Sequence, residues 1–324
     1  MKTYLVTGAA GFIASKTAEL LLQAGHRVIG IDNMNDYYDT RIKEWRLKTL
    51  KVSPRFSFYK IDIENKAALQ KLFRKYRFDA ILNLAARAGV RYSMTHPHVY
   101  FTTNVLGTVN LLDLAKEHKI KKFVLASTSS LYAGQPMPFK ENLSVNTPIS
   151  PYAASKKGAE AACYSYHYLY GIDVTIVRYF TVYGPAGRPD MSVFIFTKMI
   201  DEGKPMDVFG DGSQSRDFTY VDDIARGTIK AIKNVGFKII NLGENDPYTL
   251  THMISLIEKN LDKKAKVVNK AFHKADIKAT WADIREAKKI LGWTPKVDLA
   301  TGIKRTVEWY LENKNWLRTI KPVA

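Results

Sequence analysis

Short apolar runs alternate with amphipathic stretches through the first half of the chain. The runs are rich in β-branched and aliphatic residues and predict strands at 3–7, 28–32, 56–60, 80–84, 123–126 and 174–178. Apolar positions at helical spacing predict helices over 15–24, 66–75, 104–118 and 152–170. Strands that alternate with helices form βαβ units with right-handed crossovers. The pattern therefore predicts an α/β fold built on a doubly wound parallel sheet.

This alternation breaks after about residue 180. Glycine and proline pairs at 184–185, 187–189 and 203–205 predict that loops dominate the remainder. We expect residues 1–180 to form a nucleotide-binding domain and residues 181–324 to form mainly a smaller substrate-binding lobe. Residues 219–242 are expected to return to the first domain.

Composition and charge narrow the class of protein. No apolar run reaches the roughly 20 residues that span a membrane, and the first residues run directly into a strand rather than a secretory signal. The single cysteine, Cys163, cannot form an internal disulfide, so we expect a cytoplasmic protein. The net charge is +18, but the basic residues are spread out. We interpret the basic stretches at 41–60 and 259–278 as solvated helix faces and expect neither a nucleic-acid nor a membrane partner.

A glycine-rich turn follows the first strand and opens the first helix. Glycines here let a pyrophosphate approach the backbone at the helix N-terminus, and the turn contains Gly8, Ala10, Gly11, Phe12 and Ile13. Asp32 ends the second strand about 20 residues later, where an acid accepts hydrogen bonds from the adenosine ribose and repels a 2′-phosphate. The pair predicts a dinucleotide site that prefers NAD to NADP.

Two further strand ends extend this predicted site. Asp62 and Ile63 follow the third strand, where they meet the adenine or where Asp62 instead caps the next helix. The fourth strand ends in Leu84, Ala85 and Ala86, which are small enough to let the backbone lie close to the nicotinamide.

Candidate catalytic residues lie beyond the fifth strand. Tyr152 and Lys156 are four residues apart and therefore share one helix face. A nearby ammonium and an oxidised nicotinamide would favour the tyrosine phenolate, which could then act as a base. The hydroxyls of Thr128, Ser129 and Ser130 end the preceding strand, at the sheet edge where such folds bind ligands.

These motifs resemble those of extended short-chain dehydrogenases/reductases along nearly the whole chain. The resemblance rests on the glycine-rich turn, on Tyr152 and Lys156, and on the segments 216–223, 280–283 and 291–293. It implies a Rossmann domain that binds NAD, a UDP-sugar as substrate, and Thr128 at the catalytic Ser/Thr position.

Narrower matches resemble UDP-glucuronate 4-epimerases. They lie at 32–39, at 88–93 and in the segment 179–191, where Thr181 stands at a position that galactose-type epimerases fill with asparagine. Related dehydratases use an acidic pair directly after the catalytic threonine, whereas this chain has Ser129 and Ser130. The resemblance implies 4-epimerisation of UDP-glucuronate through a 4-keto intermediate. The alternatives are a UDP-glucose/UDP-galactose 4-epimerase and, from another class, a non-catalytic dinucleotide- or RNA-binding relative.

The resemblance also implies further site residues and a homodimer. Asn33, Asn104 and Tyr179 are expected to bind the cofactor. The substrate is expected to meet the hydroxyl cluster, Thr181 and the following residues: Arg87, Arg188, Val193, Arg216 and Asp276. Relatives dimerise through helices that resemble 104–118 and 152–170. Because His96 and His98 lack a cysteine or carboxylate cluster at ligand spacing, we expect no metal.

Overall fold

A seven-stranded parallel sheet forms the centre of the protein, whose computed structural model describes residues 1–271 and 277–320. Its strands are β1 (Thr3–Thr7), β2 (Arg27–Asp32), β3 (Phe56–Lys60), β4 (Ala80–Asn83), β5 (Lys122–Thr128), β6 (Asp173–Tyr179) and β10 (Phe237–Leu242). Their order across the sheet is β10-β6-β5-β4-β1-β2-β3. The order reverses direction between β1 and β4, which is the switch point where doubly wound sheets bind ligands.

Helices connect these strands and cover both faces of the sheet. They are α1 (Phe12–Gln23), α2 (Thr40–Lys51), α3 (Lys66–Lys75), α4 (Val90–Thr95), α5 (Pro97–Tyr100), α6 (Gly107–Glu117) and α7 (Pro151–Tyr170). A π-helical segment, Phe101–Leu106, joins α5 to α6, and a 3₁₀ turn, Ser129–Tyr132, follows β5. Polar side chains define the starts of several helices: Asn65 caps α3 and Ser150 caps α7.

The predicted strands and helices of the first half are present, with shifted ends. Helix α1 begins at Phe12, three residues before the predicted start, because Gly11 already serves as its N-cap. The predicted helix 104–118 begins inside the π-helical segment. Helices α2, α4 and α5 were not predicted, because the polar residues of α2 obscure its periodicity and α4 and α5 have only six and four residues.

Regular structure continues through the second half, so the prediction that loops dominate there is wrong. The glycine and proline pairs separate elements instead of replacing them. These elements are β7 (Thr181–Tyr183), α8 (Ser192–Glu202), β8 (Pro205–Phe209), β9 (Ser215–Tyr220), α9 (Val221–Lys230), β11 (Pro247–Thr249), α10 (Leu250–Leu261), β12 (Lys266–Lys270), α11 (Leu299–Glu312) and α12 (Lys314–Leu317), with a π-helical turn at Ala287–Leu291.

Two small sheets lie outside the central one. One has the order β11-β9-β7 and the other pairs β12 with β8. Residues 219–242 divide between the two parts, because β9 belongs to the first small sheet while β10 extends the central sheet beside β6. None of the helices in the described ranges has the length and apolar character needed to cross a bilayer.

Buried apolar clusters place the core on both faces of the central sheet. Val6, Val28 and Leu82 belong to the cluster on one face, while Leu5, Ile29 and Ile81 belong to the cluster on the other. Alternate residues of one strand thus serve opposite faces, as the pleat requires. A third cluster holds α8, α10 and α11 around β9. The carboxyl ends of β1, β2, β4 and β5 lie together at one edge of the central sheet, next to β7.

Candidate active site

The turn after β1 fits closely against the end of β4. Gly8 has a φ of +67°, and a Cβ at this position would lie 2.8 Å from the Cα of Ala85. A Cβ on Gly11 would lie 2.8 Å from the Gly8 carbonyl oxygen. Gly11 also caps α1 without a side chain, so the first N–H groups of this helix remain available to a ligand. The turn therefore has the shape and the polarity of a phosphate site.

Asp32 is held at the mouth of this turn. Its carboxylate accepts hydrogen bonds from the Ala10 N–H at 3.2 Å and the Met34 N–H at 2.8 Å. Asn33 donates to the carboxylate of Asp62 at 2.7 Å, which brings the ends of β2 and β3 together. The alternative in which Asp62 caps the next helix is wrong, because Asn65 is the cap of α3. Ile63, beside it, is buried.

A buried hydrogen-bond chain fixes the end of β4. Thr7 donates to Asn83 at 2.7 Å and accepts from the Ala85 N–H at 3.0 Å. Asn104 bonds the Arg87 backbone in both directions, at 2.8 and 3.0 Å, and donates to Ser155 on α7. Asn104 thus holds in place the segment that follows β4. Among the residues that the structure describes, the Nε atom of Arg87 is buried without a hydrogen-bond partner, so it could donate to a ligand.

The hydroxyl cluster lies against Tyr152. Thr128 accepts a hydrogen bond from the Ser130 N–H and donates to the Ser130 hydroxyl, both at 3.1 Å, while Ser129 starts the 3₁₀ turn. Burial raises the pKa of Tyr152, whereas its hydrogen bond with Thr128 and the charge of Arg188 lower it. Burial is the largest effect, so the pKa of Tyr152 is raised overall, and Thr128 and Arg188 only oppose that rise. Tyr100 packs edge-on against Tyr152, with ring centroids 6.0 Å apart.

Lys156 is buried behind Tyr152 and donates to the Ala126 carbonyl at 2.8 Å. Burial lowers the pKa of Lys156 to about 8, while the charge of Glu160 opposes that shift. Glu160 in turn accepts two hydrogen bonds from Arg178, at 2.9 and 2.7 Å, and one from Ser127 at 2.6 Å. Since its pKa is about 8, Lys156 is mostly an ammonium at neutral pH.

A narrow, partly open cavity lies between the start of α1, the loop around Arg188 and helices α8 and α11. Phe12, Thr181, Arg188 and Val193 all line it. Arg188 forms an ion pair with Asp190, and Asp190 also accepts a hydrogen bond from Tyr37 at 3.4 Å. The structure thus brings three of the predicted substrate residues to one cavity, beside the cofactor turn.

The remaining predicted residues have other surroundings. The guanidinium of Arg216, on β9, donates to the carbonyls of Ser215 at 2.9 Å and Lys278 at 3.3 Å. The Tyr179 hydroxyl is bonded to Thr228 of α9 at 2.8 Å. Leu84 and Ala86, which were expected to lie near the nicotinamide, follow β4 directly and are partly buried. Asp276 lies outside the described residues.

Two cations of α2 were missed by the sequence analysis. Lys43 is 4% exposed and Arg46 is 2% exposed, so the interpretation of this basic stretch as a solvated face is wrong for both. Lys43 donates to the Asn35 carbonyl at 2.6 Å, and Arg46 reaches the Ala10 carbonyl of the cofactor turn at 3.0 Å. A usable signal was present: both residues fall on the face that Ile42, Leu47 and Leu50 bury.

A dinucleotide fits these residues. The close approach of Gly8 to Ala85, the uncapped helix start and the buried Asp32 carboxylate suit a pyrophosphate joined to a ribose. Across residues 1–271 and 277–320, no three His, Cys, Asp or Glu side chains group as a metal site would require. Fold and site together define a nucleotide-sugar-modifying protein of the extended short-chain dehydrogenase/reductase class.

Comparison with known proteins identifies the family. The chain belongs to the GDP-mannose 4,6 dehydratase family, whose model matches residues 5–306. It is 56% identical over 322 residues to a UDP-glucuronate 4-epimerase of Thermodesulfobacterium geofontis, covering 99% of this chain and 100% of that one. Among solved structures, the UDP-glucuronic acid 4-epimerase of Bacillus cereus with UDP-glucuronic acid and NAD matches with a TM-score of 0.91 and 37% identity, over 96% of this chain and 99% of that one. A UDP-glucose 4-epimerase of Thermotoga maritima matches with a TM-score of 0.85 and 31% identity, over 96% and 99%.

Proposed function

We propose that this protein is an NAD-dependent isomerase that converts UDP-glucuronate to UDP-galacturonate through a 4-keto intermediate. The observation that carries the proposal is the hydrogen bond of Thr128 with Tyr152, close enough to Arg188 for its charge to act on the phenol, in a fold that also has a dinucleotide-shaped turn. The 56% identity to a UDP-glucuronate 4-epimerase over essentially the full length of both chains supports the same reaction.

In the proposed mechanism, Tyr152 removes the proton of the sugar 4-hydroxyl. The Thr128 hydroxyl shares that proton, and the positive charge of Arg188 favours the phenolate. Lys156, held on the Ala126 carbonyl, keeps a positive charge behind the base. When bound, NAD supplies the reversible oxidation at C4, and no net redox change results. After the 4-keto sugar turns over, reduction takes place at the opposite face of C4, and Tyr152 returns the proton to O4.

The cofactor and the substrate have separate residues in this proposal. Asp32 binds the adenosine ribose, and the start of α1 holds the pyrophosphate. Arg188 and Arg216 bind the UDP diphosphate on the side that residues 181–324 mainly supply, while residues 1–180 mainly bind NAD. Arg87, whose buried Nε atom has no partner among the described residues, offers a further cation to the substrate.

The hydroxyl cluster decides between epimerisation and its rivals. Elimination of water needs an acid and a base after Thr128, and neutral Ser129 and Ser130 serve poorly as either. The same hydroxyls, with Thr181, can donate hydrogen bonds to a C6 carboxylate without repelling it. A 4-keto uronic acid is a β-keto acid that readily loses carbon dioxide. Holding its carboxylate in place therefore protects the intermediate.

Proton NMR of the purified protein with UDP-glucuronate, and separately with UDP-glucose, tests the proposal. We expect UDP-galacturonate to form while UDP-glucose remains unchanged. Tyr152→Phe should abolish turnover and still bind NAD, whereas Tyr170→Phe at the end of the same helix should act like the wild type. Conversion of UDP-glucose alone would make the chain a UDP-glucose/UDP-galactose 4-epimerase, and full activity of Tyr152→Phe would refute the proposed base.

A homodimer and a cytoplasmic location belong to the same proposal. Large apolar side chains of the π-helical segment and of α7 are exposed, among them Phe101 at 45%, Leu106 at 50% and Tyr168 at 77%. A second copy of the chain would cover such a face, and sedimentation of the purified protein at twice the mass of one chain would support it. The lone cysteine, Cys163, is buried and suits a reducing compartment.

A further inference from the structure

Arg46 connects two segments that the proposed function assigns to different ligands. Its Nη1 atom donates to the Ala10 carbonyl of the cofactor turn at 3.0 Å and to the Tyr38 hydroxyl at 2.8 Å. Its Nε and Nη2 atoms donate to the Ala186 carbonyl at 3.0 and 2.7 Å, and Nη2 also reaches the Gly187 carbonyl at 3.3 Å. One side chain of α2 thus joins the turn after β1 to the loop that precedes Arg188.

The shape of this contact leaves little freedom in either segment. Ala186 has a φ of +54°, a conformation that residues with a Cβ rarely adopt. Gly187 also packs toward the cofactor turn, because a Cβ there would lie 4.0 Å from the Phe12 ring and 3.1 Å from the Gly184 carbonyl. The planar guanidinium, which is 2% exposed, holds these carbonyls in a fixed relation to Ala10.

The charge of Arg46 remains available to nearby anions. All the hydrogen-bond acceptors given above are neutral oxygens, so no carboxylate among them neutralises the guanidinium. Lys43 lies close enough for the charge of Arg46 to contribute to lowering its pKa. In a buried setting such charges are weakly screened. The positive charge therefore favours a diphosphate both at the turn and at the Arg188 side of the cavity.

We propose that Arg46 is a positioning residue that couples NAD binding to UDP-sugar binding. Binding of a pyrophosphate at the start of α1 orders the turn that includes Ala10. Because Arg46 binds the carbonyls of both segments, an ordered turn also fixes Ala186 and Gly187 and so sets the position of Arg188. The inference rests on the proposed function, since it takes the turn as the NAD site and Arg188 as a substrate ligand.

Titration calorimetry of the full chain tests the coupling directly. UDP is titrated into the protein with saturating NAD and with no NAD added, and the ratio of the two dissociation constants is the coupling factor. In the wild type we expect UDP to bind at least about fivefold more tightly with NAD present, a usual size for coupled sites. In Arg46→Met the ratio should fall below about twofold, and in Arg46→Lys, which keeps the charge without the planar fork, it should be intermediate.

The control and the kinetic readout separate positioning from a general loss of structure. Arg41→Met changes an exposed arginine of the same helix and should keep the wild-type ratio. With NAD saturating, Arg46→Met should raise KM for UDP-glucuronate more than it lowers kcat. If Arg46→Met does not fold, Arg46→Lys carries the comparison.

Each outcome then points one way. A wild-type ratio near one, or variants of Arg46 that weaken both ligands while keeping the wild-type ratio, would overturn the inference. If the wild type binds UDP and NAD but converts neither UDP-glucuronate nor UDP-glucose, the proposed function fails. The coupling ratio still tests the role of Arg46 in that case, because it is measured with UDP and NAD alone.

Discussion

Replacing Glu160 with glutamine should both destabilise the protein and change its pH dependence. Glu160 is 3% exposed and lies one helical turn after Lys156 on α7. Its carboxylate accepts two hydrogen bonds from Arg178 and one from Ser127. Burial is the largest single effect on the pKa of Arg178 and lowers it, but the hydrogen bond and charge of Glu160, together with Tyr132, outweigh burial, and the pKa is raised. The pair is therefore a fully engaged buried ion pair.

The expected loss of stability depends on the contacts that Arg178 keeps in the variant. In Glu160→Gln the guanidinium keeps its bond to Tyr132 at 2.8 Å, but it loses its only carboxylate partner among the described residues. Breaking a buried ion pair by removing one partner costs about 3–5 kcal/mol. Because a glutamine oxygen can still accept one hydrogen bond, we expect a value near the lower end, about 3 kcal/mol.

The effect on activity acts through Lys156. Burial lowers the pKa of Lys156 to about 8, and the negative charge of Glu160 partly opposes that shift. Removing the charge lets the pKa fall further, by roughly one unit if the contribution is typical of a nearby opposite charge. Lys156 then loses its proton at lower pH. The alkaline limb of the kcat profile should move to lower pH by the same amount.

Two measurements and one double variant separate these effects. Urea unfolding gives the free-energy change, and turnover of UDP-glucuronate between pH 6 and about 9.5 gives the alkaline midpoint, which falls near the pKa of Lys156. Glu160→Leu with Arg178→Met removes both charges and should recover most of the stability while the midpoint stays shifted. An unchanged midpoint in a destabilised Glu160→Gln would refute the argument that Glu160 supports the charge of Lys156.

Three further variants test other parts of the site. The Thr181→Ala variant should convert part of the UDP-glucuronate to carbon dioxide and a UDP-pentose. If chromatography detects no such by-product, this would count against the role of Thr181 in holding the carboxylate. Asp32→Asn should weaken the binding of NAD about tenfold, which is the cost of one charge-assisted hydrogen bond. In paired titrations it should also reduce the ratio by which NAD binds more tightly than NADP. An unchanged ratio would contradict the assignment of Asp32 to the adenosine ribose. Burial and the charges of Asp217, Asp246 and Asp298 raise the pKa of Glu244 to about 8, so wild-type stability should fall as pH rises from about 4.5 to 8. The Glu244→Gln variant cannot titrate at this position, so its melting temperature should exceed that of the wild type at pH 8.5 and equal it at pH 4. Equal melting temperatures at both pH values would exclude Glu244 as the cause of the pH dependence.

The central sheet could be predicted because its signals are local. Strands β1 and β3 match their predicted runs residue for residue. Strand β1 is buried at four of its five positions, as parallel strands inside a sheet are, whereas β3 lies at the sheet edge and is mostly half-buried. The second half offered no such pattern. Strands β7 and β11 have only three residues each, and every residue of β12 is exposed. Such strands are specified by long-range pairing, which a local pattern does not contain.

The candidate site divides in the same way. Thr128 and Asp32 end β5 and β2, so the strand pattern alone predicted that both lie at the carboxyl end of the sheet. Tyr152 was singled out by its helical spacing from Lys156, and both residues do lie on α7. Arg46 is different, because the carbonyl it binds at Ala186 lies 140 residues away. Its burial could still have been read from the helix: Arg46 is four residues from both Ile42 and Leu50, which places it on their buried face. A charged residue at a core position of an amphipathic helix requires a polar partner inside the protein. The sequence thus indicates that polar partners of Arg46 exist, and only the fold shows that they belong to two distant segments, the turn after β1 and the loop that precedes Arg188.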